Sequence, residues 1–341
     1  MTVLNVTSDG SLPMLFGYSI DQVFLLGLFL FILLVGIAKV WEILRLNHPS
    51  YADDYESRNS DIKYTKIKST YKKPTKKPSK TFKLNKFKRY CGVEIECIDE
   101  EGITDKRLQE LNFNEVDDGS LSDDGREYVS LPSQGDRLFN MIDGLTKELS
   151  NIKAYTDKSC GLHIHLEVEK DLELLKKIFL FYDKYEDYFF KMMPLSRRNS
   201  HYAMRSDKVY GKVYDKILNS KDLDEFWKII YETRNSCIPN GYKYNDKRYC
   251  WVNFHSVFYR STLELRNHSG TINSGKIKNW LTINLIILDY ISKHSLKHID
   301  NMKLSEEAFL SLFPKKIKDY IELRWNKFRY SDSENKVEVK K

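Results

Sequence analysis

The strongest constraint on the fold comes from three short segments in which apolar and strongly polar side chains alternate. They are CGVEIEC at Cys91–Cys97, LHIHL at Leu162–Leu166 and TLELR at Thr262–Arg266. Successive side chains of an extended strand point to opposite faces, so each segment has one apolar face and one face with a pair of charged or imidazole groups. Two like charges at this spacing repel each other, and the pattern is costly unless water or a cation lies between them.

The polar faces of these strands carry residue types that bind metal ions and phosphate groups. The three pairs are Glu94 with Glu96, His163 with His165, and Glu264 with Arg266. A polar loop leads into a fourth predicted strand, which carries Glu127. If the strands share a sheet, these side chains gather on one face, where carboxylates and imidazoles suit divalent cations and an arginine can clamp phosphate oxygens.

Each of these residues also has an ordinary structural explanation. A single histidine is more often a hydrogen-bonded part of the fold than a ligand. Glu264 beside Arg266 could be an ion pair worth under ~1 kcal/mol, and Glu127 could cap a turn. If only these structural explanations held, the polar pairs would occupy matching positions in several strands by accident. The joint pattern therefore favours a metal site.

The apolar periodicity between the strands is helical. The predicted helices are Asp136–Leu149, Asp171–Met193, Leu223–Arg234, Lys276–Ser295 and Ser305–Phe328. We expect Asp171 to cap the second helix and Pro314 to kink or split the last one. Strands and helices without an internal repeat predict one mixed α+β domain at residues 90–330, followed by a polar tail at 331–341.

An uncharged apolar run near the N-terminus predicts a single membrane helix. Gln22–Ala38 spans 17 residues without a charge, which is short but sufficient for a bilayer core, with Lys39 and Trp41 at the interface. No Lys or Arg precedes position 39. The positive-inside rule therefore places residues 1–20 outside, the span at 21–41, and the rest of the chain in the cytoplasm, where cysteines are expected to be reduced.

Residues 42–89 are predicted to be a basic, disordered tether. Residues 63–89 contain twelve Lys or Arg and no Asp or Glu, so the formal net charge of +7 becomes 7 − 12 = −5 without them. Prolines and lysine pairs without an apolar run cannot bury enough surface to fold. A basic strip beside a membrane helix favours anionic lipid over nucleic acid, at about 1 kcal/mol per basic residue near the surface. A solvated spacer is the third interpretation.

The chain resembles the putative amidoligase family through four motifs in a fixed order. They are GVEIE, GREYVS, CGLHIHL and TLELRNHSGT, and the resemblance spans residues 90–290. Members of this family are carboxylate–amine ligases distantly related to glutamine synthetase and glutamate–cysteine ligase. The resemblance implies a curved antiparallel sheet with helices on its outer face and a concave face that binds ATP and two or more Mg²⁺ or Mn²⁺ ions. It also implies a carboxylate and an amine substrate, from a small molecule, a peptide or a protein side chain.

The resemblance further implies a role for each matched residue. The expected metal ligands are Glu94, Glu96, Glu127, His163 and Glu264. His165 would contact the nucleotide phosphates, and Arg266 would bind the transferred phosphoryl group, with Glu264 beside it in catalysis. Further candidates for substrate or phosphate contacts are Asn253, Arg197 and Arg198.

Two other functions could use the same residues. One is a metal-dependent hydrolase or phosphotransferase, with Cys160 and His163 in a zinc site, although zinc usually takes more sulfur or nitrogen ligands than these strands offer. The other is a membrane-anchored scaffold on a degenerate ligase fold. The leading prediction is an ATP- and Mg²⁺-dependent ligase on the inner face of a membrane, forming an amide through an acyl phosphate.

Overall fold

The computed structural model divides the chain into two compact units, Met1–Ser79 and Lys80–Lys341. The residues that the structure describes are 14–15, 18–19, 87–116, 121, 125–231 and 245–337. In the first unit they form two short strands, β1 (Met14–Leu15) and β2 (Tyr18–Ser19), which pair antiparallel. All other described elements belong to the second unit.

A six-stranded antiparallel sheet organises the second unit. Its strands are β3 (Cys91–Ile98), β4 (Phe113–Val116), β5 (Gly125–Ser130), β6 (Gly161–Glu167), β7 (Val252–Asn253) and β8 (Thr262–Ser269). Their order across the sheet is β4-β5-β3-β6-β8-β7. The three alternating strands and the fourth predicted strand, which carries Glu127, therefore lie side by side in the middle of one sheet, and the α+β prediction is confirmed.

The alternation divides this sheet into an apolar face and a polar face. Val93 and Ile95 on β3, Ile164 on β6 and Leu265 on β8 are all buried on the apolar face, at 0–1% exposure. The residues between them point the other way, because successive strand side chains alternate. The polar pairs of the sequence consequently share the second face.

A β-bulge interrupts this alternation on β8. Leu162 of β6 lies opposite His268, whereas Ile164 lies opposite Leu265. One residue of β6, His163, is thus matched by two residues of β8, as in a bulge. The extra residue turns His268 towards the apolar face, although its even spacing from Arg266 would otherwise place it on the polar face.

The described residues of the second unit also form thirteen α-helices. They are α1 (Asp105–Leu111), α2 (Gly135–Asn151), α3 (Leu172–Lys184), α4 (Glu186–Lys191), α5 (Leu195–Arg198), α6 (Ser206–Val209), α7 (Tyr214–Asn219), α8 (Leu223–Tyr231), α9 (Phe254–Arg260), α10 (Ser274–Lys293), α11 (Leu296–Asp300), α12 (Glu306–Ser311) and α13 (Lys315–Val337). Helix α10 packs against β6 and also contacts α2, α3 and α13. Ile277, Leu281 and Leu288 on this helix are fully buried in the core.

The helix predictions are confirmed in position and corrected at two places. Asp171 caps α3 by accepting a hydrogen bond from the Leu174 amide at 2.8 Å, and Pro314 separates α12 from α13 as expected. The helix predicted at Asp171–Met193 is instead two helices, which meet at Tyr185. Helix α13 continues to Val337, through most of the predicted tail.

The predicted membrane helix at residues 21–41 lies outside the described residues, as does most of the predicted tether. Within the described residues, no helix has the length and apolar character needed to cross a membrane. The last three tether residues do belong to the folded domain. Phe87 is buried, and Arg89 donates to the carbonyl of Glu167 and the hydroxyl of Ser292 at 2.9 and 2.8 Å.

Candidate active site on the polar sheet face

The strand register brings the predicted polar residues together on one face. Glu94 lies opposite His163, and Glu96 lies opposite Glu127. Across the other pairings, Glu264 lies opposite both His165 and Asn253. Opposite residues of antiparallel strands point to the same side, with Cβ atoms about 4.5–5.5 Å apart. A continuous row of carboxylates and imidazoles therefore crosses four strands and continues to the edge strand β7.

Glu94 lies at the centre of this row. Its Oε2 is 3.0 Å from His163 Nδ1, and its Oε1 is 3.0 Å from His165 Nε2. The side chain of Glu94 is 13% exposed, and those of His163 and His165 are 4% and 12% exposed. One carboxylate thus contacts both histidines of the neighbouring strand in a largely buried setting.

Two sets of donor atoms are close enough to bind a metal ion, and Glu94 belongs to both. The first set consists of Glu94, Glu127 and His163, and the second of Glu94, His165 and Glu264. Within each set the donor atoms lie within 4.8 Å of one another. Each set has two carboxylates and one imidazole; carboxylate oxygens suit Mg²⁺ or Mn²⁺, and neither set contains a thiolate, a soft ligand that selects zinc. The donor chemistry therefore fits the metals expected from the sequence.

Glu96 has a different environment from the other acidic residues. Its Oε2 accepts a hydrogen bond from the Gly161 amide at 2.5 Å, and its Oε1 is 3.3 Å from His163 Nε2. It belongs to neither set of donor atoms. In this geometry Glu96 orients the His163 ring, which contacts Glu94 through its other nitrogen.

Opposite charges set the protonation of the central groups. Burial alone would raise the pKa of the Glu94 carboxyl, but His165 and His163 outweigh it and hold that pKa well below 4.5. Burial alone would lower the pKa of His165, yet Glu94 and Glu264 raise it above 6.5. The pKa of Glu264 is likewise lowered despite burial, chiefly by Arg266. Glu94 and Glu264 are thus ionised and available as ligands at neutral pH.

Glu264 is held from two sides. Asn253 Nδ2 donates to Glu264 Oε2 at 2.6 Å, and Arg266 Nη1 donates to Glu264 Oε1. Arg266 also donates through Nε to the carbonyl of Tyr202 at 3.1 Å. Asn253, predicted as a substrate contact, is 3% exposed and touches Glu264. Asn253 therefore lies where it can orient the carboxylate of Glu264, a candidate metal ligand.

The two neighbouring arginines of the sequence prediction point to different places. Arg197 is 4% exposed, and its Nη2 donates to the carbonyl of Arg266 at 2.5 Å. A Cβ added to Gly161 would lie 3.1 Å from Arg197 Nη2 and 3.3 Å from Glu96 Oε2, so the guanidinium reaches the edge of the site. Arg198 turns away, since its Nε donates to the carbonyls of Phe190 and Met193.

Comparison with protein families agrees with this geometry. Residues 125–288 match a family model described as "Putative amidoligase enzyme". The amidoligase resemblance is confirmed. The matched residues include β5, β6 and β8 with their polar side chains, whereas Glu94 and Glu96 on β3 precede the match. The match indicates a ligase-type enzyme. No curated protein matches the chain.

The structure adds two residues to the candidate site that the sequence analysis missed. Arg260, the last residue of α9, places Nη1 3.9 Å from Glu94 Oε1 and is 43% exposed. Thr262 Oγ1 is 3.1 Å from His165 Nδ1 and 3.0 Å from Ser256 Oγ. Thr262 could have been found because it shares the i, i+2 phase of Glu264. Arg260 has no such signal, because the left-handed turn at Ser261 (φ 57°) separates it from the strand.

Cys160 lies next to the candidate site without joining a set of donor atoms. Its Sγ is 3.5 Å from Asp157 Oδ1, and burial raises the pKa of its thiol to about 11. A protonated thiol is a poor metal ligand. Within the described residues, the donor sets thus give no support to the zinc site with Cys160 and His163.

Proposed function

We propose that the protein is an ATP-dependent carboxylate–amine ligase that uses Mg²⁺ or Mn²⁺. It would join an acid to an amine, each from a small molecule, a peptide or a protein side chain, through an acyl-phosphate intermediate. The observation that carries the proposal is the pair of donor sets that share Glu94. Together with the amidoligase match over residues 125–288, it supports a site built for two adjacent cations and an anionic substrate.

The reaction explains why such a site is needed. A carboxylate does not react with an amine directly, since the leaving group would be an oxide ion. Transfer of the γ-phosphoryl group of ATP to the carboxylate releases ADP and creates a good leaving group, and the amine then displaces inorganic phosphate and loses a proton to form the amide. The bound cations would neutralise charge on the phosphoryl oxygens. Glu94, Glu127, Glu264, His163 and His165 would hold them.

The other residues of the site would position these ligands and the substrate. Arg266 would bind a phosphoryl oxygen, and its contact with Glu264 supports this role. Thr262 orients the ring of His165, and Asn253 orients the carboxylate of Glu264. Mutation of residues that make such supporting hydrogen bonds commonly lowers metal affinity or activity by about 10–100-fold.

The proposal includes the cellular setting predicted from the sequence. Residues 21–41 would anchor the protein in a membrane with the catalytic domain in the cytoplasm, and the basic residues 63–89 would contact anionic lipid. Expression of the full chain followed by membrane fractionation and carbonate extraction tests this part. Recovery of the whole protein in the soluble fraction would contradict the anchor and leave the ligase proposal unaffected.

Binding of Mn²⁺ and nucleotide by the full-length protein tests the enzymatic proposal. We expect wild-type protein to bind Mn²⁺, measured by paramagnetic resonance, and to bind ATP only when the metal is present. Glu94→Gln should lose both, because Glu94 belongs to both donor sets. Glu169→Gln is the matched control, since Glu169 is an exposed glutamate just after β6.

The outcomes separate the ligase from its alternatives. Metal binding without any nucleotide binding would contradict the ligase and favour a hydrolase. Tightly bound zinc that survives purification would also contradict the ligase and favour a hydrolase. If wild-type and Glu94→Gln proteins bind Mn²⁺ and ATP equally, the polar face has no metal function, and a scaffold role is favoured.

A further inference from the structure

Arg260 is an arginine of the candidate site that is held only loosely. Its Nη1 lies 3.9 Å from Glu94 Oε1, near the outer limit of an ion pair, and its side chain is 43% exposed. The ring of Tyr259 lies 5.9 Å from the guanidinium carbon. Among the described residues, Glu94 is the carboxylate that Arg260 contacts. A weakly held positive charge therefore lies beside the residue that belongs to both donor sets.

The main chain next to Arg260 is fixed, so a movement of this residue is a movement of its side chain. The Ser261 amide donates to the carbonyl of Val257 at 3.0 Å, and the Ser261 carbonyl accepts from the amide of Val168 at 3.0 Å. The left-handed conformation of Ser261 lets β8 begin directly after α9. Arginine has several rotatable side-chain bonds with staggered minima, so the guanidinium can move between neighbouring partners.

Each carboxylate of the second donor set has an arginine beside it. Arg266 Nη1 donates to Glu264 Oε1, and Arg260 lies beside Glu94 Oε1. The same oxygen of Glu94 faces Nε2 of His165, the imidazole of this set, at 3.0 Å. Because the donor atoms of the set lie within 4.8 Å of one another, an anion bound there would be within reach of both guanidinium groups.

Charge balance connects the two arginines to such an anion. Glu94 and Glu264 carry two negative charges, which the contacts with Arg260 and Arg266 balance. If the two carboxylates bind a divalent cation, they balance the cation instead, and the arginines then need an anion as counter-charge. Arg266 is also tied to the Tyr202 carbonyl through its Nε at 3.1 Å. Arg260 is thus better able to change its partner.

We propose that Arg260 exchanges one partner for another as the site fills. It leaves Glu94 when Glu94 binds a cation, and it then binds the γ-phosphoryl group of ATP. The inference rests on the proposed function, because it assigns a second arginine, beside Arg266, to the transferred group. A planar guanidinium can donate two parallel hydrogen bonds to phosphoryl oxygens. Arg260 therefore competes with the cation for Glu94 and favours the nucleotide once the cation is bound.

Replacement of Arg260 should change two affinities in opposite directions. In full-length Arg260→Gln protein, affinity for Mn²⁺ alone, measured by paramagnetic resonance, should rise about two- to fivefold, since a competing partly exposed ion pair is removed. Affinity for the β,γ-imido analogue of ATP at saturating Mn²⁺, measured by calorimetry, should fall about tenfold or more, because charge-assisted hydrogen bonds are lost. Affinity for ADP should hardly change, since ADP lacks the γ-phosphoryl group.

Two further variants separate the charge of Arg260 from its shape. Arg260→Lys keeps the positive charge and loses the planar fork. It should bind Mn²⁺ as wild-type protein does and bind the ATP analogue more weakly. Arg137→Gln is the matched control, because Arg137 is an exposed arginine of α2, and all three affinities should stay at the wild-type values.

A fall in the Mn²⁺ affinity of Arg260→Gln would overturn the proposal, because Arg260 would then orient Glu94 for the metal rather than compete with it. Unchanged affinities, or equal falls for the ATP analogue and ADP, would overturn it as well. If Arg260→Gln does not fold, as judged by circular dichroism, the affinity of Arg260→Lys for the analogue decides the question.

The wild-type protein distinguishes this inference from the proposed function. If wild-type protein binds Mn²⁺ and the analogue and Arg260→Gln binds both equally well, the inference on Arg260 fails alone. If wild-type protein binds neither ligand, the ligase proposal and the role of Arg260 fail together.

Discussion

Asn253 connects the candidate metal site to a helix cap, and replacing it separates the two contributions. Its Nδ2 donates to Glu264 Oε2 at 2.6 Å, and its Oδ1 accepts from the Ser256 amide at 3.2 Å as the N-cap of α9. The side chain is almost completely buried. Asn253→Ala removes both contacts, whereas Asn253→Ser keeps a capping oxygen that is too short to reach Glu264.

The magnitudes follow from the two kinds of contact. Loss of an N-cap costs about 1 kcal/mol, and loss of a hydrogen bond to a charged buried group costs about 1.5–3 kcal/mol. The free energy of unfolding without metal should therefore fall by about 2.5–4 kcal/mol in Asn253→Ala and by about 1.5–3 kcal/mol in Asn253→Ser. Both variants release Glu264, so both should bind Mn²⁺ about 10–100-fold more weakly.

Urea unfolding in EDTA and Mn²⁺ titration of the same protein preparations test this reasoning. Equal stability of the Ala and Ser variants would show that capping of α9 contributes nothing. Wild-type Mn²⁺ affinity in the Ser variant would show that the contact with Asn253 does not orient Glu264 for metal binding. Each result refutes one half of the reasoning and leaves the other half measurable.

Three further predictions concern single positions. In Gly161→Ala the new Cβ would lie 3.0 Å from His163 Nε2; we expect Mn²⁺ affinity to fall about tenfold, and unchanged affinity in the Mn²⁺ titration would contradict the crowding. Asp171→Ala removes the cap of α3 and should lower the free energy of unfolding by about 1 kcal/mol, with Asp171→Ser recovering most of it in urea denaturation. His268 stays neutral in the fold because its pKa is well below 6.5, so the unfolded chain takes up an extra proton below that pH. The free energy of unfolding should then fall by about 1.4 kcal/mol per pH unit below 6.5, and a His268→Asn variant with the same pH dependence would refute this.

The polar sheet face could be predicted because it depends on a local rule. A strand alternates with period two, so Glu94 with Glu96 and His163 with His165 had to share a face within each strand. The alternation does not determine which residues of neighbouring strands lie opposite each other. The apolar face determines this pairing register, because a shift by one residue would expose the buried side of the strand. The central part of the site followed from these two constraints.

The features that the sequence did not reveal depend on contacts between distant residues. The break between α3 and α4 has no proline or glycine. Tyr185 lies there, fully buried, with its hydroxyl donating to the carbonyl of Lys303 at 2.9 Å and its ring 5.4 Å from that of Phe309. The bulge on β8 is also set by pairing across strands. The contacts of Tyr185 and the pairing partners of β8 both lie outside the segments that they shape. Periodicity alone therefore predicts one long helix and an unbroken strand.

The bulge separates two environments along one strand. Arg266 faces the metal ligands, and the extra residue turns His268, two positions later, to the opposite face. Arg197 holds the strand at this point, because its Nη2 donates to the main-chain carbonyl of Arg266. A substitution of Arg197 would therefore disturb the strand that carries Glu264 and Arg266 as well as the edge of the site. Glu94 contacts both histidines and belongs to both donor sets, so it is the position at which the proposed metal function is tested most directly.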